Sequence, residues 1–134
     1  MRQPEAEARR WLAQAESDLA FAELGVREGF FAQACFICQQ AGEKALKALH
    51  YRRGARVVLG HSLAELLDDL LRDHPTLGDL RDAARQLDQF YIPTRYPNGL
   101  PGGVPADSFT RGQATQAVAA AREFIARART AAGG

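Results

Sequence analysis

Apolar residues recur along this chain at spacings of three and four, the period of a helix buried on one side. From Pro4 to Glu28 the seam Ala8, Leu12, Ala15, Leu19, Ala22 and Val26 alternates four and three apart, and Trp11 and Phe21 widen it. Pro4 suits a first turn, where its missing N–H costs no hydrogen bond, and Gly29 suits the stop. The stretch from Phe30 to Arg53 has a broader face. At about 100° per residue, Phe31, Ala34, Cys35, Ile37, Cys38, Ala41, Ala45, Leu46, Ala48 and Leu49 sweep roughly half the helix circumference. That width predicts a central helix packed on several sides. Its remaining arc carries Gln39, Gln40, Glu43, Lys44 and Lys47.

The connection from Ala55 to Gly60 holds Val57, Val58 and Leu59, too few for a strand, and reads as a loop packing back on the bundle. Ser62 with Glu65 three residues later is a capping-box pattern, so a third helix starts at Leu63. It runs to about Asp73 with Leu63, Leu66, Leu67, Leu70 and Leu71 inward, and His74-Pro75 ends it. Thr76 with Asp79 is a weaker version of the same cap. It opens a fourth helix with Leu77, Leu80, Ala83, Ala84 and Leu87 inward, ending near Phe90. From Pro93 to Pro105 the chain turns rich in proline and glycine, a loop long enough to be functional or disordered. Thr110 with Gln113 caps a last helix that buries Ala114, Ala117, Val118, Ala121, Phe124, Ile125 and Ala128. The expected fold is a single all-α domain over residues 1–134, an up-and-down bundle of about five helices.

At 134 residues, 46% hydrophobic and 25% charged, the chain is long enough to bury one core. A net charge of +1 argues against gripping duplex nucleic acid by bulk charge, while leaving room for a local phosphate site. No run of about 18 apolar residues appears and the first residues do not resemble a signal peptide, so the expectation is a cytoplasmic protein with no membrane contact. Cys35 and Cys38 lie on the apolar arc. A zinc site needs two further ligands at matching spacing, and His50, His61 and His74 do not supply them, so the thiols read as reduced core residues and no metal or cofactor is expected.

Three features carry candidate chemistry. Gln40, Glu43, Lys44 and Lys47 share one helical face, and the two lysines are the only ones in a chain that otherwise uses arginine. Glu43 and Lys47 stand in the favourable i, i+4 order, and both an ordinary solvated stripe and a phosphate-binding stripe fit the pattern. His61, directly before the Ser62 cap, either bonds the turn or faces a ligand. The tract Tyr91-Ile-Pro-Thr-Arg95-Tyr96-Pro97 places two tyrosines around an arginine in a proline-stiffened segment. That combination suits a base and a phosphate, and it also suits cover for the open end of the bundle. Asp18, at the edge of the first helix's seam, reads as a solvated rim carboxylate.

Taken in order, Asp18-Leu19, Ala34-x-Phe36-x-x-Gln39-Gln40-Ala41-x-Glu43-Lys44-Ala45-Leu46-Lys47, His61-Ser62-Leu63 and Tyr91-Ile-Pro-Thr-Arg95-Tyr96-Pro97 resemble the HEPN domain, named for higher eukaryotes and prokaryotes nucleotide-binding. The resemblance spans nearly the whole chain. It implies an all-α bundle, often a homodimer, that binds nucleotides or RNA and is frequently paired with a small nucleotidyltransferase. Many such domains are metal-independent ribonucleases with an arginine followed several positions later by a histidine. Arg95 matches the arginine, but no histidine follows His74. The expectation is therefore a noncatalytic domain that binds ATP, GTP or RNA. Its nucleotide-binding residues are expected to be Gln40, Glu43, Lys44, Lys47, His61, Tyr91, Arg95 and Tyr96, with phosphates on Lys44, Lys47 and Arg95 and a base on Tyr91 or Tyr96. The alternatives are a toxin-type RNA endonuclease using Arg95 with His61, and a structural interaction module.

Overall fold

The computed structural model describes residues 3–133. Its main elements are α1 (Pro4–Arg27), α2 (Phe31–Arg52), α3 (Leu63–Asp68), α4 (Arg81–Asp88), α5 (Pro105–Ser108) and α6 (Arg111–Ala131), with 3₁₀ segments at Pro75–Leu80 and Pro97–Gly99. Among the described residues there is no strand, and no helix is long and apolar enough to cross a membrane. The helix α1 ends where Gly29 takes a φ of +84°, which costs a residue without Cβ nothing, and the Phe30 amide returns to the Gly25 carbonyl at 2.8 Å. This tight reversal lays α2 antiparallel along α1. Trp11 stacks on Tyr51 near one end, and Ala34 lies 3.5 Å from the Cβ position of Gly25 near the other.

The last helix runs antiparallel to α1 as well. Arg111 reaches the Val26 carbonyl, Arg122 pairs with Glu23, and Arg129 pairs with Glu16, contacts that walk down α1 as α6 advances. So α2 and α6 are parallel, and α3 with α4 provides the return limb between them. All seven residues predicted inward on α6 are buried, and Thr110 with Gln113 forms the full reciprocal capping box.

The helix α2 is central because its apolar face is made of small residues. Cys35, Cys38, Ala41, Ala45 and Ala48 are fully enclosed, and at Gly42 a Cβ would stand 2.6 Å from Leu63, 3.1 Å from Leu87 and 3.6 Å from Phe124. One missing side chain thus lets α3, α4 and α6 all close on α2. Both cysteines are free, and burial pushes their thiols up to about 12. His50, also buried, has its pKa pushed below the ordinary histidine value mainly by burial. Its Nε2 lies 3.0 Å from the Leu66 carbonyl, and its Nδ1 faces Arg53 at 3.2 Å.

The return limb departs from the sequence expectation. The third helix holds regular α geometry only to Asp68 and continues as turns, although Leu63, Leu66, Leu67 and Leu70 are buried as expected. Thr76 makes no cap. Pro75–Leu80 winds as a 3₁₀ segment, whose three-residue repeat puts both Leu77 and Leu80 in the core, and α-helix begins only at Arg81. The connection after α2 does not pack down: Val57 is 70% and Leu59 82% exposed. An extended segment points alternate side chains to opposite sides, so only Val58 turns inward, with its amide on the Tyr51 hydroxyl at 3.3 Å.

Candidate functional site

The polar arc of α2 is a bonded network and not a solvated stripe. Gln39 and Glu43 sit one turn apart on the same line of the helix and are both buried, at 0% and 5% exposure. The Gln39 amide nitrogen donates to the Glu43 carboxylate at 3.3 Å and to the His61 carbonyl at 2.9 Å, while Gln40 donates to the Gln39 oxygen at 2.8 Å. Glu43 also receives Lys47 at 3.1 Å and His61 Nδ1 at 3.1 Å. A carboxylate at that depth is tolerable only because a cation and two further donors surround it. Lys47, itself buried, lies 6.0 Å from the centre of the Trp11 ring. Lys44 turns the other way and pairs with Asp18 of α1 at 2.5 Å, so Asp18 is an ion-pair partner and not a free rim carboxylate. Both lysines singled out by the sequence are therefore neutralised within the fold.

The aromatic tract is set by local turns. The amides of Arg95 and Tyr96 both return to the Ile92 carbonyl, at 3.1 and 3.2 Å, and Thr94, nearly buried, donates its hydroxyl to the Phe90 carbonyl. This coil folds Arg95 back over its own segment, where its Nε donates to the Tyr91 carbonyl at 2.8 Å. The guanidinium lies 4.5 Å from the Phe36 ring, 4.5 Å from Tyr91 and 5.0 Å from Tyr96. Among the described residues it has no carboxylate partner. Three aromatic rings pack against a half-buried cation whose terminal nitrogens remain available, a favourable setting for an anion. Tyr91 is occupied as a wall: His61 stacks on it at 4.8 Å and 19°, and Phe36 tilts against it at 6.2 Å. Tyr96, 49% exposed, has ring surface to spare.

Two segments distant in sequence meet here, and Asp88 ties them together. This last residue of α4 accepts from the Ser62 hydroxyl at 2.7 Å and from the amides of Leu63 and Ala64 at 2.6 and 3.1 Å. Ser62 in turn takes the Glu65 amide at 3.2 Å, so the start of α3 is closed by Ser62 and Asp88, and not by a reciprocal Ser62–Glu65 pair. His61 precedes this anchor by one residue, and Tyr91 follows it by three. The anchor fixes both partners of the stack. His61 donates from Nδ1 to Glu43, which leaves Nε2 as the acceptor nitrogen of an exposed ring.

Of the eight residues expected at the site, Glu43, His61, Tyr91, Arg95 and Tyr96 are joined contact to contact, and Gln40 reaches the same network through Gln39. Lys47 lies behind Glu43, and Lys44 belongs to the α1 side beside Trp11, Gln14 and Arg10. Sequence reasoning left Gln39, Phe36 and Asp88 off the site. The first two fall on the same helical arc as Glu43, at three- and four-residue spacings that make them readable as its neighbours. Asp88 gives no such signal, because its partners are 24 to 26 residues away. No group of three His, Cys, Asp or Glu among the described residues is arranged to hold a metal ion.

A family model described as the HEPN domain matches residues 8–130. No curated protein matches the chain. Among solved structures, TT1696 from Thermus thermophilus is 44% identical, with a TM-score of 0.89 over 93% of this chain and 98% of that one. ST0689, an archaeal HEPN homologue, is 31% identical with a TM-score of 0.77 over 97% of this chain and 98% of its own. A HEPN domain protein from Thermotoga maritima is 31% identical with a TM-score of 0.72, covering 90% and 95% of the two chains.

Proposed function

The chain belongs to the HEPN domain family, and from that premise we propose that it is a noncatalytic nucleotide-binding domain whose receptor is built around Arg95. The observation that carries this reading is a guanidinium that has no carboxylate partner among the described residues and is framed by Phe36, Tyr91 and Tyr96. In it, Arg95 takes a phosphate oxygen, the exposed face of Tyr96 stacks on a base, and Gln40 and His61 Nε2 border the ligand with hydrogen-bonding groups. Glu43, Lys47 and Tyr91 hold the receptor in shape, and Lys44 lies at its far edge. Calorimetric titration with ATP, GTP and short RNAs tests the reading: binding that Arg95→Ala abolishes supports it, and absence of binding at millimolar ligand overturns it.

The family resemblance supports a small nucleotidyltransferase as the protein partner, tested by whether the two co-purify after co-expression. A second copy of the chain is the further partner in this reading. Phe21, Leu24 and Phe30 stand 59%, 44% and 56% exposed around a groove of about 290 Å³ between α1 and α2. Light scattering decides it: a dimer mass that Phe21→Arg reduces to a monomer supports the shared face.

One observation favours a second reading as an RNA endonuclease. His61 and Arg95 both lie against Tyr91, and the His61 ring is oriented by a buried carboxylate as a general base is. That reading requires RNA cleavage in EDTA, lost in both His61→Ala and Arg95→Ala.

A further inference from the structure

The charges around the aromatic cluster at Arg95 narrow the class of ligand. The cations that could help Arg95 neutralise a polyphosphate are already matched: Lys44 to Asp18, Lys47 to Glu43, and Arg10 to Glu7. They are also distant. Lys44 and Lys47 leave α2 about 12 Å and about 16 Å along the axis from Phe36, the residue beneath Arg95. Arg56 lies past the C-terminal end of α2, which is itself about 24 Å along the axis from Phe36. His61 is closer, but its Nδ1 is taken by the Glu43 carboxylate at 3.1 Å, which leaves the ligand one ring nitrogen. Among the described residues the cluster thus offers one guanidinium without a carboxylate partner, set in an aromatic frame.

Building on the nucleotide-binding reading, we infer that this site recognises a base carrying a single phosphate, as a nucleoside monophosphate or an internucleotide phosphodiester, and does not select a triphosphate. A second and third phosphate would extend from Arg95 into a region where each ammonium has its carboxylate. They would gain no ion pair there. Chain length in phosphates should therefore add nothing to affinity, while the loss of the only phosphate should remove it.

Calorimetry of the full chain with adenosine, AMP, ADP and ATP in EDTA, where no metal ion supplies the missing positive charge, tests this. The expected result is AMP, ADP and ATP within about threefold of one another, adenosine at least tenfold weaker, and a salt dependence of AMP binding that fits about one phosphate contact. The dinucleotide ApA separates the two sources. Tighter binding than AMP assigns the site to an RNA linkage and weaker binding to a free mononucleotide, and both keep the single-phosphate rule. ATP binding tenfold or more tighter than AMP overturns the inference while leaving nucleotide binding intact. Absence of binding by all of these ligands overturns the nucleotide-binding reading and the inference with it.

Discussion

The lysines of α2 and the arginine of the tyrosine tract carry the same charge, and the fold uses them in opposite ways. Lys47 is 6% exposed and bound to a carboxylate that is 5% exposed, and Lys44 is held by a carboxylate from the neighbouring helix. Arg95 has aromatic rings for neighbours and, among the described residues, a backbone carbonyl for its only side-chain hydrogen bond. A flexible ammonium is a compact charge that a nearby carboxylate can satisfy completely. A planar guanidinium can lie on rings and still present unused N–H groups. The difference separates scaffold from receptor, and residue type alone does not reveal it.

The largest effect should come from breaking the scaffold pair. Lys47→Ala leaves Glu43 buried without its cation, and loss of one partner of a buried pair costs about 3 kcal/mol or more. Urea denaturation measures this directly. Lys47→Met keeps much of the packing against Trp11, yet still strands the carboxylate. The double variant Lys47→Met/Glu43→Gln should recover most of the loss, because no buried charge is left unmatched. A loss under about 0.5 kcal/mol for Lys47→Ala would place this lysine with the surface ion pairs instead.

Next in size is Arg95→Ala. It should weaken nucleotide binding at least tenfold, about 1.4 kcal/mol or more, while stability falls by no more than about 1 kcal/mol, the range of a cation-π contact near the surface. Arg95→Lys should rescue little, since an ammonium does not lie flat between rings. The comparison breaks if Arg95→Ala unfolds the protein and leaves affinity unchanged in the folded fraction.

The scaffold was far more legible in the sequence than the receptor, for a physical reason. Helical period depends on neighbours three and four residues away, so the inward faces of α2 and α6 could be read directly, as could the Thr110 cap. The return limb was less legible. There a proline and a glycine shift the winding to 3₁₀, and nothing in Thr76 or Asp79 announces it. The site residues were nameable, but not their pairing. Lys44 and Asp18 are 26 residues apart, as are Ser62 and Asp88, and Asp18 could not be told from a solvated carboxylate until α1 lay beside α2. Val57 and Leu59 misled in the other direction, because hydrophobicity does not say which way an extended loop faces.

A smaller effect follows from His50, on the scaffold side of the comparison. Burial holds its folded pKa below the value of about 6.5 that it has in the unfolded chain. Below that pH the unfolded state binds a proton that the native state resists, so the stability His50 contributes is present above about pH 6.5 and declines as the pH falls, by at most about 1.4 kcal/mol per pH unit. Urea midpoints between pH 7.5 and 5 should show a decline that is shallower in His50→Gln. Nucleotide binding should not follow the same curve, since His50 faces Leu66 and Arg53, away from the tyrosine tract.

The smallest effect tests the comparison most closely. Lys44 and Asp18 are partly exposed, with side chains 23% and 15% accessible, so Lys44→Ala should cost about 1 kcal/mol or less in stability. It should change AMP affinity less than twofold if Asp18 already cancels its charge. Asp18→Asn should then have a consequence that Lys44→Ala lacks. With its carboxylate gone, the ammonium is no longer cancelled and attracts the outer phosphates of a bound nucleotide at long range, so ATP should gain about twofold over AMP in this variant, and the gain should vanish in Asp18→Asn/Lys44→Ala. Screening over a distance comparable to the Debye length keeps the gain small, so the titrations belong at low salt. A tenfold loss of AMP affinity in Lys44→Ala alone would show that pairing with Asp18 does not silence this lysine, and the receptor would then extend along α2 instead of ending at Arg95.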